Sequence, residues 1–178
     1  MKTLLSLVFI INTMSFIEYQ DLIGKNISVI HQVLGNDFEY DSSNHNLYFK
    51  ADESYKYFYG MPCSYIIISN KNYVVDSITF YFNEIISKTF YDSFVRDFGR
   101  PNTIQVVEKT EILDSGVNDE DQRFAQYLEK RFLTTREGSF EEKPIYMIWK
   151  NKKFQIKILQ RYSQNITEIV FRVPSENF

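Results

Sequence analysis

The hydrophobic positions of the chain follow two rhythms. Ahead of Gly35, Ile27, Ile30 and Leu34 are spaced i, i+3, i+7, and ahead of Gly99, Tyr91, Phe94 and Phe98 stand at the same offsets. That spacing lines one side of a helix with apolar groups. Each pattern ends on a glycine, the residue for which a left-handed helix cap is easiest. Asn26 and Ser87 stand where N-caps belong. After Gly99, Pro101 cannot continue a helix; after Gly35, Asn36-Asp37 supplies turn chemistry instead. Gly99-Arg100-Pro101 thus reads as a helix stop leading into a strand rather than as a functional loop.

Downstream of each helix the rhythm changes to period two. "DSITFYF", 76–82, places Ile78, Phe80 and Phe82 on one side, and "TEIVFRV", 167–173, does the same with Ile169, Phe171 and Val173. Further strands are expected at 47–50, 55–59, 65–69, 103–108, 145–150 and 154–160, with Asn70-Lys71-Asn72 and Asn151-Lys152-Lys153 as hairpin turns. The predicted fold is α+β: two tandem helix-plus-antiparallel-meander units forming a sheet with helices on one face. The first unit spans 16–86 and the second 87–178. From Gly35 to Ile78 is 43 residues and from Gly99 to Ile169 is 70, so the second unit carries a surplus. Its expected place is a charged helical insertion at about 111–143, where "DEDQRFAQYLEKRF" spaces Phe124, Leu128 and Phe132 four apart.

The first residues read differently. "MKTLLSLVFIINTMSF" has one lysine, an apolar stretch too short to span a bilayer, and small residues Thr13 and Ser15 before Phe16. Residues 1–15 are expected to be a signal peptide and the protein secreted or periplasmic; the alternative is a buried N-terminal strand or helix. No later stretch is long and apolar enough to cross a bilayer.

The motif "DLIGKNISVIHQVLGND", 21–37, resembles the helix signature of small bacterial envelope proteins of the SmpA/OmlA and β-lactamase-inhibitor-protein-like (BLIP-like) group. Gly24, Lys25, Val29 or Ile30, Leu34 and Gly35 match in the first unit, and Phe94, Phe98, Gly99 and Pro101 in the second. The resemblance implies an exported two-unit α/β sheet protein that binds other proteins and has no catalytic residues to transfer. Asn36-Asp37 departs from the Gly-x-Pro pattern, and no lipobox cysteine follows the apolar start.

Chemistry is sparse. The net charge of −3 gives no long-range pull on nucleic acid. The run from Trp149 to Lys157 is basic, but its apolar residues alternate as a half-buried strand requires. One cysteine, Cys63, excludes an intramolecular disulfide, and with only His31 and His45 it offers no recognisable zinc set. A Cys63 nucleophile would need exposure and a neighbouring histidine. The acidic "DSGVNDEDQ", 114–122, has oxygen ligands but not EF-hand spacing. All six glycines are isolated, so no phosphate-cradling loop is present, and no cofactor is expected. Asp76 shares the strand side of Ile78 and Phe80, which leaves it either at the sheet rim or as a buried, partnered carboxylate.

Aromatic residues make up 17% of the chain, enough to supply a binding surface as well as a core. In "ESYKYFYG", Tyr55, Tyr57 and Tyr59 alternate onto one side, and Tyr146, Trp149 and Tyr162 would extend that surface. The competing assignment is core tyrosine with its hydroxyl at the rim. The expected function is an exported, non-enzymatic protein-binding module with no nucleic-acid partner. The rivals are a cytosolic inhibitor or immunity-type protein, and an enzyme of unrecognised mechanism built on Cys63 or Asp76.

Overall fold

The structure is a computed structural model that describes residues 18–50, 57–117 and 127–174. The expected leader, 1–15, and Tyr55 lie outside the described residues. Two helices form where the apolar stripes lie, α1 (Ile27–Leu34) and α2 (Lys88–Phe98). Asn26 Oδ1 accepts the Ser28 N–H at 2.9 Å and Ser87 Oγ accepts the Phe90 N–H at 3.1 Å, which pairs an N–H that has no acceptor within the helix. Gly35 and Gly99 end the helices with φ of +84° and +78° and ψ of −167° and −174°. That combination is extended rather than left-handed helical, and essentially only glycine adopts it without strain.

The rest is mostly strand. β1 (Glu39–Asp41), β2 (Asn46–Lys50), β5 (Tyr65–Lys71) and β6 (Val74–Phe82) precede α2; β7 (Thr103–Val117), β8 (Tyr127–Glu137), β9 (Tyr146–Lys150), β10 (Gln155–Arg161) and β11 (Ile166–Arg172) follow it. These nine form one antiparallel sheet in the order β1-β2-β5-β6-β11-β10-β9-β7-β8. A separate small hairpin pairs β3 (Tyr57–Phe58) with β4 (Met61–Pro62). The expected fold class is therefore corrected: one continuous, strand-dominated sheet replaces two helix-plus-meander units with helices on one face. The physical reason is the β6–β11 pairing, where Ile78 faces Phe171 and Phe80 faces Ile169, so the apolar sides of the two expected units join in a shared ladder.

Register explains the core. Leu47, Ile68, Ile78, Phe171, Ile156 and Trp149 form one buried line across the sheet, and Phe49, Ile66, Phe80, Ile169, Ile158 and Met147 form the next. Ile30 and Leu34 of α1 and Phe90 and Phe94 of α2 join the same cluster. Phe58 reaches into it from the small hairpin, stacked on Phe80 at 4.4 Å and edge-on to Phe171 at 6.1 Å.

Two local expectations also change. The β5–β6 turn is centred on Asn72 and Tyr73, both at positive φ, as a two-residue hairpin turn demands. Where an amphipathic helix was expected, 127–137 is strand β8, paired with β7 from Val117↔Tyr127 to Gln105↔Glu137. Residues 118–126 lie outside the described residues. A short stretch with apolar groups four apart also satisfies period two, and Thr134-Thr135 adds β-branched residues that favour the strand.

Candidate functional site

Strands alternate sides, so the residues between the core lines face the other way. Tyr48, Ile67, Thr79, Val170 and Lys157 make one line on this second face, and Tyr65, Tyr81, Glu168, Leu159 and Tyr146 make the next. Their side chains are half-buried or exposed, Tyr65 reaching 38%. An antiparallel sheet commonly has one packed and one wetter side, but here the wetter side is unusually aromatic.

The band is ordered by its own contacts. Tyr65 and Tyr81 stack at 4.5 Å with 15° between ring planes, a cross-strand pair set by the Tyr65↔Tyr81 register. Desolvation raises both phenol pKa values, and the Glu168 carboxylate adds to the rise. Glu168 is itself paired with Arg161 at 2.7 Å. Lys157 holds its ammonium 5.5 Å from the Tyr146 ring centre, within cation–π reach. Across β6, β11, β10 and β9 this face carries Lys150, Lys157, Arg161 and Arg172 against two carboxylates, Glu168 and, at the β6 bulge, Asp76. At its end lies an open cleft of about 350 Å³ lined by Asp76, Ser77, Val170, Arg172, Val173 and Pro174.

The expected site residues are dispersed. Tyr57 is 63% exposed, whereas Tyr59 takes a φ of +50°, turns toward α2 and packs on Phe90 and Phe94. The expected alternation of Tyr57 and Tyr59 onto one side is thus corrected: their strand is two residues long and ends before Tyr59. Tyr59 donates its hydroxyl to Asp97 at 2.7 Å, and burial together with that carboxylate raises its pKa. Tyr146 lies on the open face, but Trp149, three residues on, is buried in the core and donates Nε1–H to the Gly99 carbonyl at 2.8 Å. Tyr162 follows β10 and donates to the Pro144 carbonyl at 3.3 Å. Sequence reasoning missed Tyr65 and Tyr81, although both alternate with buried residues in their strands; only the cross-strand register shows them to be one pair.

The other candidates resolve into structure. Cys63 is buried, its sulfur 3.4 Å from the Tyr65 carbonyl oxygen and 3.6 Å from that of Tyr81, and burial pushes the thiol up to about 11. Such a thiol is almost wholly protonated at neutral pH, the wrong state for a nucleophile. Asp76 is exposed at the rim because it is the extra residue of a bulge: Asn70 pairs with Val75 and Ser69 with Ser77. The bulge corrects the expectation that it shares the side of Ile78. His45 meets the Tyr40 hydroxyl through Nδ1 at 3.1 Å, and His31 packs on Phe38. Among the described residues no group of three His, Cys, Asp or Glu is placed to hold a metal.

A further open cleft, about 340 Å³, surrounds the helix stop at Asp97, Phe98, Arg100, Asn102, Trp149 and Lys150. Its polar atoms serve the fold: Asn102 Oδ1 accepts the Lys150 N–H at 2.6 Å, and the Gly99 carbonyl accepts from Trp149.

Fold and site together define a class: a mostly antiparallel β protein with one face packed and the other presenting a basic, tyrosine-rich band. No protein-family model matches the chain, and neither a curated protein nor a solved structure matches it. No helix among the described residues is long and apolar enough to cross a membrane.

Proposed function

We propose that the protein is a non-enzymatic binding module that engages another protein through the open face of its sheet. The observation that carries this reading is the Tyr65–Tyr81 stack, flanked by the Arg161–Glu168 pair and by Lys157 over Tyr146. Tyrosine supplies large contact area at low conformational cost and keeps a polar tip for hydrogen bonding, which suits it to interfaces. The buried, protonated Cys63 argues against a thiol mechanism, and the resemblance to the SmpA/OmlA and BLIP-like group points the same way.

Site-specific photo-crosslinking in the cells that make the protein tests the reading. A Tyr81→benzoylphenylalanine variant should give a discrete, protease-sensitive adduct, whereas the same probe at Tyr73, on the exposed β5–β6 turn, should not. Equal labelling at both positions, or none at Tyr81, would remove the open face as the binding surface. Export is proposed from the 1–15 segment. A chain beginning at Phe16 outside the cytosol supports it, and a cytosolic chain retaining Met1 moves the reading to the inhibitor type.

A further inference from the structure

The cleft at the stop of α2 has a side that the fold does not use. Asn102 Oδ1 accepts the Lys150 N–H at 2.6 Å, and Asn151 Oδ1 accepts the Lys153 and Phe154 N–H groups at 2.8 Å each. Those bonds fix which end of each amide is oxygen, and the nitrogen at the other end can only donate. Neither Nδ2 meets an acceptor among the described residues. Both amides line the cleft of about 340 Å³, and so does the exposed Arg100, which has no carboxylate partner among the described residues.

The carboxylate in the same lining, Asp97, is already occupied: Tyr59 donates to one oxygen at 2.7 Å and Arg96 Nε to the other at 3.0 Å. The side chains left unpaired around the cleft are therefore donors. Lys152 and Lys153, exposed on the β9–β10 turn beside Asn151, add positive charge. The floor is apolar, with half-buried Phe98 and Phe154 meeting edge-on at 6.2 Å and Trp149 buried in the same lining. A few placed polar groups over an apolar floor are the ingredients of a small-molecule site. Planar guanidinium and amide groups suit a carboxylate, whose two oxygens accept from several N–H donors at once. We propose that this cleft binds an organic anion with a carboxylate beside an apolar group, the carboxylate held by Arg100 and the amide N–H groups of Asn102 and Asn151, the apolar part lying on Phe98 and Phe154. Gly99-Arg100-Pro101 then has two uses: it ends the helix, and it brings Arg100 to the basic run that starts at Trp149. The site is separate from the open face and does not depend on the role proposed for that face.

Titration of the full chain with hydrocinnamate, followed by Trp149 fluorescence and by the side-chain amide signals of Asn102 and Asn151 in NMR, tests the proposal. Saturation is expected with a midpoint of about 1 mM or below, and 3-phenylpropanol, which keeps the apolar part and lacks the charge, should bind about tenfold more weakly or worse. Asn102→Asp and Asn151→Asp are the decisive variants, since each keeps the oxygen the backbone needs and turns the donor into an anionic acceptor. Each should weaken binding about tenfold or more while the urea midpoint stays near the parent's, and so should Arg100→Gln at its exposed position. Where an Asp variant fails to fold, Arg100→Gln decides. A short peptide ending in phenylalanine, free or amidated, distinguishes the sources of the carboxylate. Binding of the free form alone, tighter than hydrocinnamate, assigns it to a polypeptide C-terminus; hydrocinnamate binding as tightly as the peptide assigns it to a small free acid. No saturation by either acid up to about 10 mM overturns the proposal, as does equal affinity for the alcohol or an affinity unchanged in all three variants.

Discussion

Replacing Phe58 with alanine should destabilise the protein by about 3–5 kcal/mol. The residue sits on a two-residue strand whose pairings among the described residues are Tyr57 with Pro62 and Phe58 with Met61, so its backbone contributes little anchoring. The ring holds the segment down. It stacks on Phe80 at 4.4 Å, meets Tyr19 at 5.9 Å and Phe94 at 6.3 Å, and stands edge-on to Phe171 at 6.1 Å. Returning such a side chain to water forfeits about 2–3 kcal/mol of transfer free energy. The remainder is the cavity, because its walls are rings fixed on β6, β11 and α2 that cannot close over the gap. Against a typical total of about 5–15 kcal/mol the loss is about a fifth or more, and the thermal midpoint should fall by about 10 °C. Trp149, the only tryptophan, is buried against Phe94 at 5.1 Å and reports the transition by fluorescence during urea unfolding. Phe58→Leu, which refills most of the volume, should cost less than half as much. If the alanine variant loses under about 1 kcal/mol with unchanged Trp149 emission, the small hairpin is a cover rather than a core element, and the argument from ring packing fails.

Three further outcomes follow from single residues. Gly99→Ala should cost about 1–3 kcal/mol although no atom lies within 4 Å of an added Cβ, because a φ of +78° with ψ of −174° excludes side chains; a neutral result in urea melts would refute the strain argument. Cys63 should react slowly with a thiol reagent at mildly alkaline pH in the folded chain and at once after denaturation, since burial holds the thiol near 11; prompt labelling of native protein would contradict its placement. Asp97 is held below its ordinary 3.8 by the Tyr59 hydroxyl and then by Arg96. A depressed folded pKa contributes stability above the unfolded value and loses it as pH falls through the folded one. Below about pH 4 the urea midpoint should therefore drop more steeply in the parent than in Asp97→Asn, and parallel curves would show the carboxylate unlinked to folding.

What could be read from the sequence and what could not divide along a physical line. Helix ends were legible because their causes are local: Asn26 and Ser87 cap within three residues, and Gly35 and Gly99 stop the helices through their own backbones. Most strand positions were legible for the same reason, since alternation is written in each segment; β8 was not, because apolar groups four apart fit a helix as well as a strand. Pairing was not. Nothing within "DSITFYF" indicates that Ile78 will face Phe171 rather than a neighbour in its own half, yet that choice turns two expected units into one sheet. Parity was equally hidden. One bulge at Asp76 and one left-handed residue at Tyr59 reversed the side predicted for each, because a single residue out of step moves a side chain to the opposite face. The open-face site lies on the non-local side of this line. Tyr65 and Tyr81 are sixteen residues apart and become one aromatic surface only through register, and Lys157 joins them from a strand reached through β11. A binding surface of this kind is a property of the assembled sheet. It follows that substitutions altering register near Asp76 should disturb the tyrosine band as much as substitutions within it.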